Sequence, residues 1–449
     1  MMKMSKFLTL YPGIYLPEEK KAMAEYRKKI DAINNRSVNI DDVVSGRVVL
    51  EAPGGPSVVN IAEASYKKVQ LWAGNDPLWI GENAPAFPTC AMPNGGFFGG
   101  LTANFGDEKC VREHHHYCTF HRPLLASDTL YIVVDNMEFF DITPACGSEY
   151  RTWAMRGTGK YYNQNGELVI TQTCGAKECF KIYADPNERT WNARMEDFDW
   201  SNHAFHMYTD EDWNTISDLW KNEKRQGDQP LYFEDIAVGD TPAPTVEGPV
   251  TTPEKSPLSN GPSKSDRYVK THWGEDKAGW VRDEFGIWRV PAEETREIES
   301  KKRPGGPPPR QPKPGEDKER IDNSPPAVRG RASFENYTGR DAAVQAIFNW
   351  MGAHGQLTAL SWCIGSEPMM ETHSIPAHPN RVSSFLKVPG MEDRFTDVHG
   401  EAGDLIISRI YVTGKNEETS TVELTWWTET IEGQIFTEGT AEVVLPKKV

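Results

Sequence analysis

The residues best suited to chemistry fall in a few short stretches. In SDRYVKTHWGEDK, His272 stands six residues after Asp266 and three before Glu275. An imidazole near a carboxylate can take up and release a proton near neutral pH, so His272 is a candidate acid or base; the ordinary alternative is a surface histidine on an irregular loop. Gly339 and Arg340 open a predicted helix, where backbone N–H groups point outward and carry partial positive charge. A carbonyl oxygen placed at Gly339 would be stabilised, although a plain turn glycine fits the same spacing. Arg340 beside it could meet a carboxylate or phosphate, or simply pair with Glu335. His354, between Gly352 and Gly355, is either a core histidine bonded to a carbonyl or a group facing a ligand. His114, His116 and Cys118 share one face of a predicted strand and could converge on a metal, but Phe120 continues that face and favours ordinary packing. Cys174 and Cys179 have odd spacing, which points them to opposite faces and argues against a shared metal. No Gly-rich phosphate loop, HExxH or Gly-x-Ser-x-Gly is present.

These groups need elements to position them. Tyr337 to Gly365 reads as a long apolar helix, with Val344, Ile347, Phe348 and Met351 at helical spacing and Leu357 and Leu360 extending the face. Strand character follows over Arg381 to Val388, Asp404 to Val412, Thr421 to Glu429 and Gln434 to Leu445. Earlier in the chain, Pro17 to Ile33 reads as a surface helix with a stripe of Met23, Tyr26, Ile30 and Ile33. Pro17 and the acidic Glu18 and Glu19 suit its first turn. A second helix is expected over Ile61 to Trp72. Strands are expected over His114 to Phe120, Thr129 to Phe139, Glu149 to Tyr162 and Leu168 to Ile182, with Asn165-Gly166 as the clearest hairpin turn. A helix followed by an antiparallel meander therefore occurs in each half. A faint repeat supports duplication: a turn ending in Asp128-Thr129-Leu130 or Asp404-Leu405, then strands, a Gly turn and a final strand.

At 449 residues the chain suits two domains, and a net charge of −16 argues against a general nucleic-acid binder. No run of about 18 apolar residues suggests a membrane span. Pro12-Gly13 cuts short the apolar start, so a secretory signal is not expected. Seven cysteines, an odd number without a CxxC pair, fit a reduced, cytoplasmic protein. PGGPPPRQPKPGEDKER, at 304–320, has the composition of an extended or disordered segment.

The stretches FHRPLLASDTLYI and YYNQNGELVITQT in the first half, and FEDIAVGD, YTGRDAAVQAIFNWMGAHG, GDLIISRIYVTGK and GQIFTEGTAEVVLP in the second, resemble the MaoC-like acyl-CoA hydratases and dehydratases in their fused double-hotdog form. The matches cover about two thirds of the chain, and their order is the specific part. The resemblance implies an α+β protein of two tandem hotdogs, each a curved antiparallel sheet wrapped around a long helix. It places an N-terminal hotdog at 1–185, a connection at 186–230, and a C-terminal hotdog at 231–449 with a Pro-rich excursion at about 241–331.

It also implies chemistry: water is added to, or removed from, a 2-enoyl-CoA thioester lying between two hotdogs. The family's D-x-N-P-x-H segment supplies the proton-transfer pair, and a backbone N–H at the helix start holds the enolate oxygen. In the first half the matching stretch is Gly74-Asn75-Asp76-Pro77-Leu78-Trp79, where Trp79 stands in place of the histidine. An indole is no general base, so Asp76 and Trp79 are expected to bind substrate and this half to be a degenerate copy. In the second half the nearest segment carries Asp266 and His272, expected as the catalytic pair, with Gly339 as oxyanion donor and Arg340 and His354 as substrate contacts. The expected activity is a hydratase or dehydratase for a bulky or branched enoyl-CoA. No metal or separate cofactor is needed, since CoA arrives with the substrate. A homodimer, or a hetero-oligomer with another hotdog subunit, is the expected assembly. Two alternatives stand: a non-catalytic acyl-CoA-binding subunit of a heteromeric hydratase, and an acyl-CoA thioesterase.

Overall fold

In the computed structural model, the described residues are 5–50, 58–61, 106–192, 194–195, 204, 206–250, 264–277, 279–290, 337–364, 384–392, 394, 396, 398, 400 and 403–448. Trp79, Asp76, the second helix beyond Ile61 and the Pro-rich run 304–320 lie outside them.

The first half begins with helix α1, Pro17–Asn34, and a short strand β1, Val58–Asn60. Four long strands follow: β2, Glu108–Phe120; β3, Thr129–Asp141; β4, Arg151–Tyr162; and β5, Leu168–Lys181. Helix α2, Asp210–Asn222, leads to β6, Thr245–Glu247, and α3, Lys264–Thr271. The second half then has α4, Tyr337–Met351; β7, Gln356–Ile364; β8, Ile406–Asn416; β9, Thr421–Glu429; and β10, Ile435–Val444.

One 11-stranded sheet joins both halves in the order β1-β3-β4-β5-β2-β7-β10-β9-β8-β6, with Arg194–Met195 lying beside β2. The order is palindromic about the antiparallel β2–β7 seam, where His116 faces Trp362 and Cys118 faces Leu360. Hydrogen-bond register makes the duplication quantitative. The β4–β5 pairs Tyr161↔Ile170 and Gly157↔Cys174 recur in β9–β10 as Thr428↔Thr437 and Leu424↔Ala441, an offset of 267 residues (428 − 161) at every position. The faint repeat in the sequence is thus a structural twofold.

α4 crosses β8, β9 and β10 and is buried nearly all round. Val344, Ile347, Phe348 and Met351 join one core with Leu360, Trp362, Leu424 and Trp426 from the sheet. A helix apolar on all faces has no solvent side, and the sheet curls about it. This is the double-hotdog fold. The helix is shorter than its apolar pattern predicts. Gly352 adopts φ +68°, its N–H closes on the Phe348 carbonyl, and the chain leaves helix for β7. Leu357 and Leu360 therefore belong to a strand. Their apolar spacing continues the helix pattern across a C-terminal glycine, although the backbone does not.

A second correction concerns the strand expected over Arg381 to Val388, of which 381–383 lie outside the described residues. Residues 384–390 form turns in which Val388 N–H bonds the Phe385 carbonyl. Pro389 follows, and Gly390 has φ +78°, a combination that breaks a ladder. Phe385 and Val388 instead cover Trp427 on the outer face of the sheet.

α1 packs on β3 through the predicted Met23, Tyr26 and Ile30. Glu19 does more than favour a helix start. Its carboxylate takes the Leu16 N–H at 2.8 Å and the Arg151 Nε–H at 2.7 Å, both side chains being fully buried. Arg151 also donates to the Tyr11 and Ile14 carbonyls, pinning the N-terminal arm.

On the far edge, α2, α3 and a small hairpin at 281–289 surround an aromatic cluster of their own. It includes Tyr208, Trp213 and Trp280, with Trp273 and Trp288 against them. These elements lie within stretches read as connection and Pro-rich excursion.

Candidate active site at the start of the central helix

α4 enters the core at Gly339, Arg340 and Asp341. Gly339 has no room for a side chain. A Cβ there would lie 2.5 Å from the Thr437 hydroxyl, 2.8 Å from the Phe436 ring and 2.9 Å from the Thr428 hydroxyl. The first N–H groups of a helix lack intrahelical acceptors, so this close approach brings donors and hydroxyls together in a dry place. The strands beneath it differ between the two halves. The counterparts of Thr428 and Thr437 in the first half are Tyr161 and Ile170.

Arg340 and Asp341 are both 0 % exposed and paired, with Arg340 Nε and Nη2 at 2.9 and 2.8 Å from Asp341 Oδ1. The sequence offered Glu335 as partner, but that residue lies outside the described ones. Arg340 stacks its guanidinium 4.9 Å from the Trp362 ring centroid. Trp362 in turn lies parallel to His116 across the seam, centroids 4.4 Å apart and planes at 9°. The second half's helix start therefore rests on a residue of the first half.

His116 continues into a buried polar chain. The Tyr161 hydroxyl donates to Gln172 Oε1 at 2.5 Å, and Gln172 Nε2 lies 3.1 Å from His116 Nδ1. His116 Nε2 is 3.7 Å from Cys174 Sγ. Since an amide nitrogen only donates, Nδ1 must accept and the proton resides on Nε2, which makes this imidazole neutral. Burial raises the Tyr161 phenol well above its usual range; the Cys118 and Cys174 thiols add to this, and Arg340 opposes it. Burial likewise pushes the Cys118 thiol up, again against Arg340. These side chains form a protonated, low-charge network rather than a reactive one.

His116 was visible in the sequence as one face of a metal-like pattern with Cys118. The shared face is real, for both are buried while Tyr117 between them is exposed. Its role beside Trp362 had no local signal, because the seam joins residues far apart in sequence.

The other expected residues sit elsewhere. Asp266 lies buried on α3. One turn on, Lys270 Nζ reaches Glu223 at 2.8 Å and Glu247 at 3.0 Å, and Glu247 also accepts from Gln345 of α4 at 3.3 Å. Burial, first of all, lifts the Glu223 carboxyl above its usual value; the Glu247 charge adds to this and the Lys270 ammonium opposes it. α3 is thereby tied to the central helix through a buried charge cluster. His272 follows α3, half-buried, its ring stacked on Tyr268 at 3.9 Å and its Nδ1 3.1 Å from the Tyr268 carbonyl. Among the described residues, its polar and ring contacts stay within its own segment, so the structure does not join it to Gly339 directly. His354 is not inside a helix. It sits on the turn after Gly352, its side chain 46 % exposed and 3.2 Å from the Asp228 carbonyl, at the opposite end of α4 from Gly339.

No protein-family model matches this sequence, and no curated protein matches it. Among solved structures, the chain is similar to a MaoC-like dehydratase at 14% identity, over 86% of this chain and 94% of that one, with a TM-score of 0.37. It is similar to a MaoC-like dehydratase from Phytophthora capsici at 12% identity, over 92% and 100% of the two chains, with a TM-score of 0.37. A third is a conserved double-hotdog protein from Mycobacterium tuberculosis, at 10% identity over 98% and 96% of the chains, with a TM-score of 0.34.

Proposed function

We propose that this protein is a hydratase or dehydratase acting on an acyl thioester, with 2-enoyl-CoA and 3-hydroxyacyl-CoA as the two sides of its reaction. The single observation that carries the reading is the start of α4. Gly339 presents a first-turn helix N–H at the seam of two hotdogs within one chain, beside buried threonine hydroxyls. An enolate oxygen forming there would meet donors already in place, the arrangement that most lowers a barrier of this kind. Hydration then needs a group to activate water and carry the proton. Asp266 and His272 are assigned that role, on a segment held against α4 through Lys270, Glu247 and Gln345. The asymmetry of the twofold supports a degenerate first half, since the bulkier Tyr161 and Ile170 stand where the second half has Thr428 and Thr437. A bulky or branched acyl group is the finer part of the proposal.

The purified chain, alone, should change the double-bond absorbance of 2-enoyl-CoA esters without releasing thiol, and a panel of acyl sizes would set its preference. Thiol release would make it a thioesterase. CoA-ester binding without turnover would make it a binding subunit. Asp266→Asn and His272→Ala should each lower kcat at least 100-fold; a fully active His272→Ala protein would remove His272 from the site.

A further inference from the structure

Trp362 lies on the α4 side of the seam, 2 % exposed, and its indole N–H has no hydrogen-bond partner among the described residues. A buried donor without an acceptor costs about 1–3 kcal/mol, so its persistence beside the α4 start calls for an acceptor. Nearby charge decides what kind. The Arg340 cation is balanced by Asp341, and the Gln172 hydrogen bond makes His116 neutral. An anion entering here would find no uncompensated positive charge among these groups, and burying it unpaired would cost several kcal/mol. A neutral oxygen needs only a donor.

We infer that the Trp362 indole N–H is a substrate-contacting donor for an uncharged acceptor oxygen, the thioester carbonyl, shared with the helix N–H groups at Gly339. This inference rests on the acyl-thioester reading above and adds a second donor to it. Trp362 is held for that task on two sides, by the parallel His116 ring and the Arg340 guanidinium. The twofold again restricts the device to one half. By the same register argument, the pair His116↔Cys174 corresponds to Leu360↔Ala441, which sets Cys118 in the place of Trp362. The first half has no indole at this position.

The test compares butanoyl-CoA with S-butyl-CoA, which differ in the carbonyl oxygen and are not substrates for hydration. Calorimetric titration of the whole wild-type protein should show the thioester bound at least ~10-fold more tightly than the thioether, about 1.4 kcal/mol. Trp362→Phe keeps an aromatic ring against His116 and Arg340 but removes the N–H. It should lose most of that discrimination while binding the thioether as wild type does. Trp362→Tyr serves the same comparison should the phenylalanine variant fail to fold. Undiminished discrimination in a folded variant overturns the inference, as does equal loss for both ligands, which would mark a packing role. Equal wild-type affinity for the two ligands overturns it as well. Wild-type protein that binds neither ligand overturns the acyl-thioester reading along with it.

Discussion

Glu19 and Arg151 hold the N-terminal arm through a buried ion pair that Asp141 flanks. Glu19→Gln removes the nearer of two carboxylates from a guanidinium that stays buried, leaving Asp141 at 3.6 Å, and should destabilise the protein by about 3 kcal/mol, read as a lower midpoint in urea denaturation. Asp141 and Tyr15 beside them set a pH window. Burial raises the Asp141 carboxyl, but hydrogen bonds from Thr143 and Tyr15, with the Arg151 charge, outweigh it and lower it overall. A carboxyl lowered on folding stabilises fully above its unfolded pKa of about 4, and that contribution fades as pH falls through the folded value. Tyr15 is the mirror case. Burial, with the Asp141 hydrogen bond, pushes it from 10.0 to about 12, so its contribution is whole below 10 and lost as pH rises through the folded value. Stability against pH should therefore fall at both ends of this window, and Asp141→Asn should flatten the acid limb. An unchanged acid limb in that variant would remove Asp141 from the account.

At the scale of elements, most strands and both long helices could be read from apolar spacing, but their ends could not. The α4 pattern runs on into β7 because Leu357 and Leu360 keep the spacing by coincidence, and only the backbone at Gly352 shows the break. That glycine combines φ +68° with a Cβ position 2.8 Å from the Gly227 carbonyl. Gly352→Ala should thus cost about 1–2 kcal/mol, through the left-handed backbone and the clash, seen as a lower melting temperature. The candidate site was legible in part for the same reason. Gly339 and Arg340 belong to a local motif, whereas Trp362 and His116 meet only because β2 and β7 pair across the seam. His354 was misplaced together with the helix end.

The whole molecule is a twofold in one chain, with the seam inside it. Because one sheet crosses that seam and one apolar core spans α1, α4 and strands of both halves, the two hotdogs are expected to unfold together. Calorimetry should give a single transition whose calorimetric and van't Hoff enthalpies agree; two separated transitions would show independent halves. The register offset maps β4 and β5 onto β9 and β10, yet Thr428 and Thr437 under Gly339 have the bulkier counterparts Tyr161 and Ile170. On the proposed reading, function would follow from where the twofold is broken.

The central claim, that an acyl thioester reacts at the start of α4, is tested most directly by Gly339→Ala. The added methyl would press on the Thr437 and Thr428 hydroxyls and the Phe436 ring, where the oxyanion is placed. Steady-state hydration of a 2-enoyl-CoA, measured alongside near-ultraviolet circular dichroism to verify the fold, should show kcat/KM reduced at least 100-fold in a folded variant. A folded Gly339→Ala protein with wild-type kcat/KM would contradict the account.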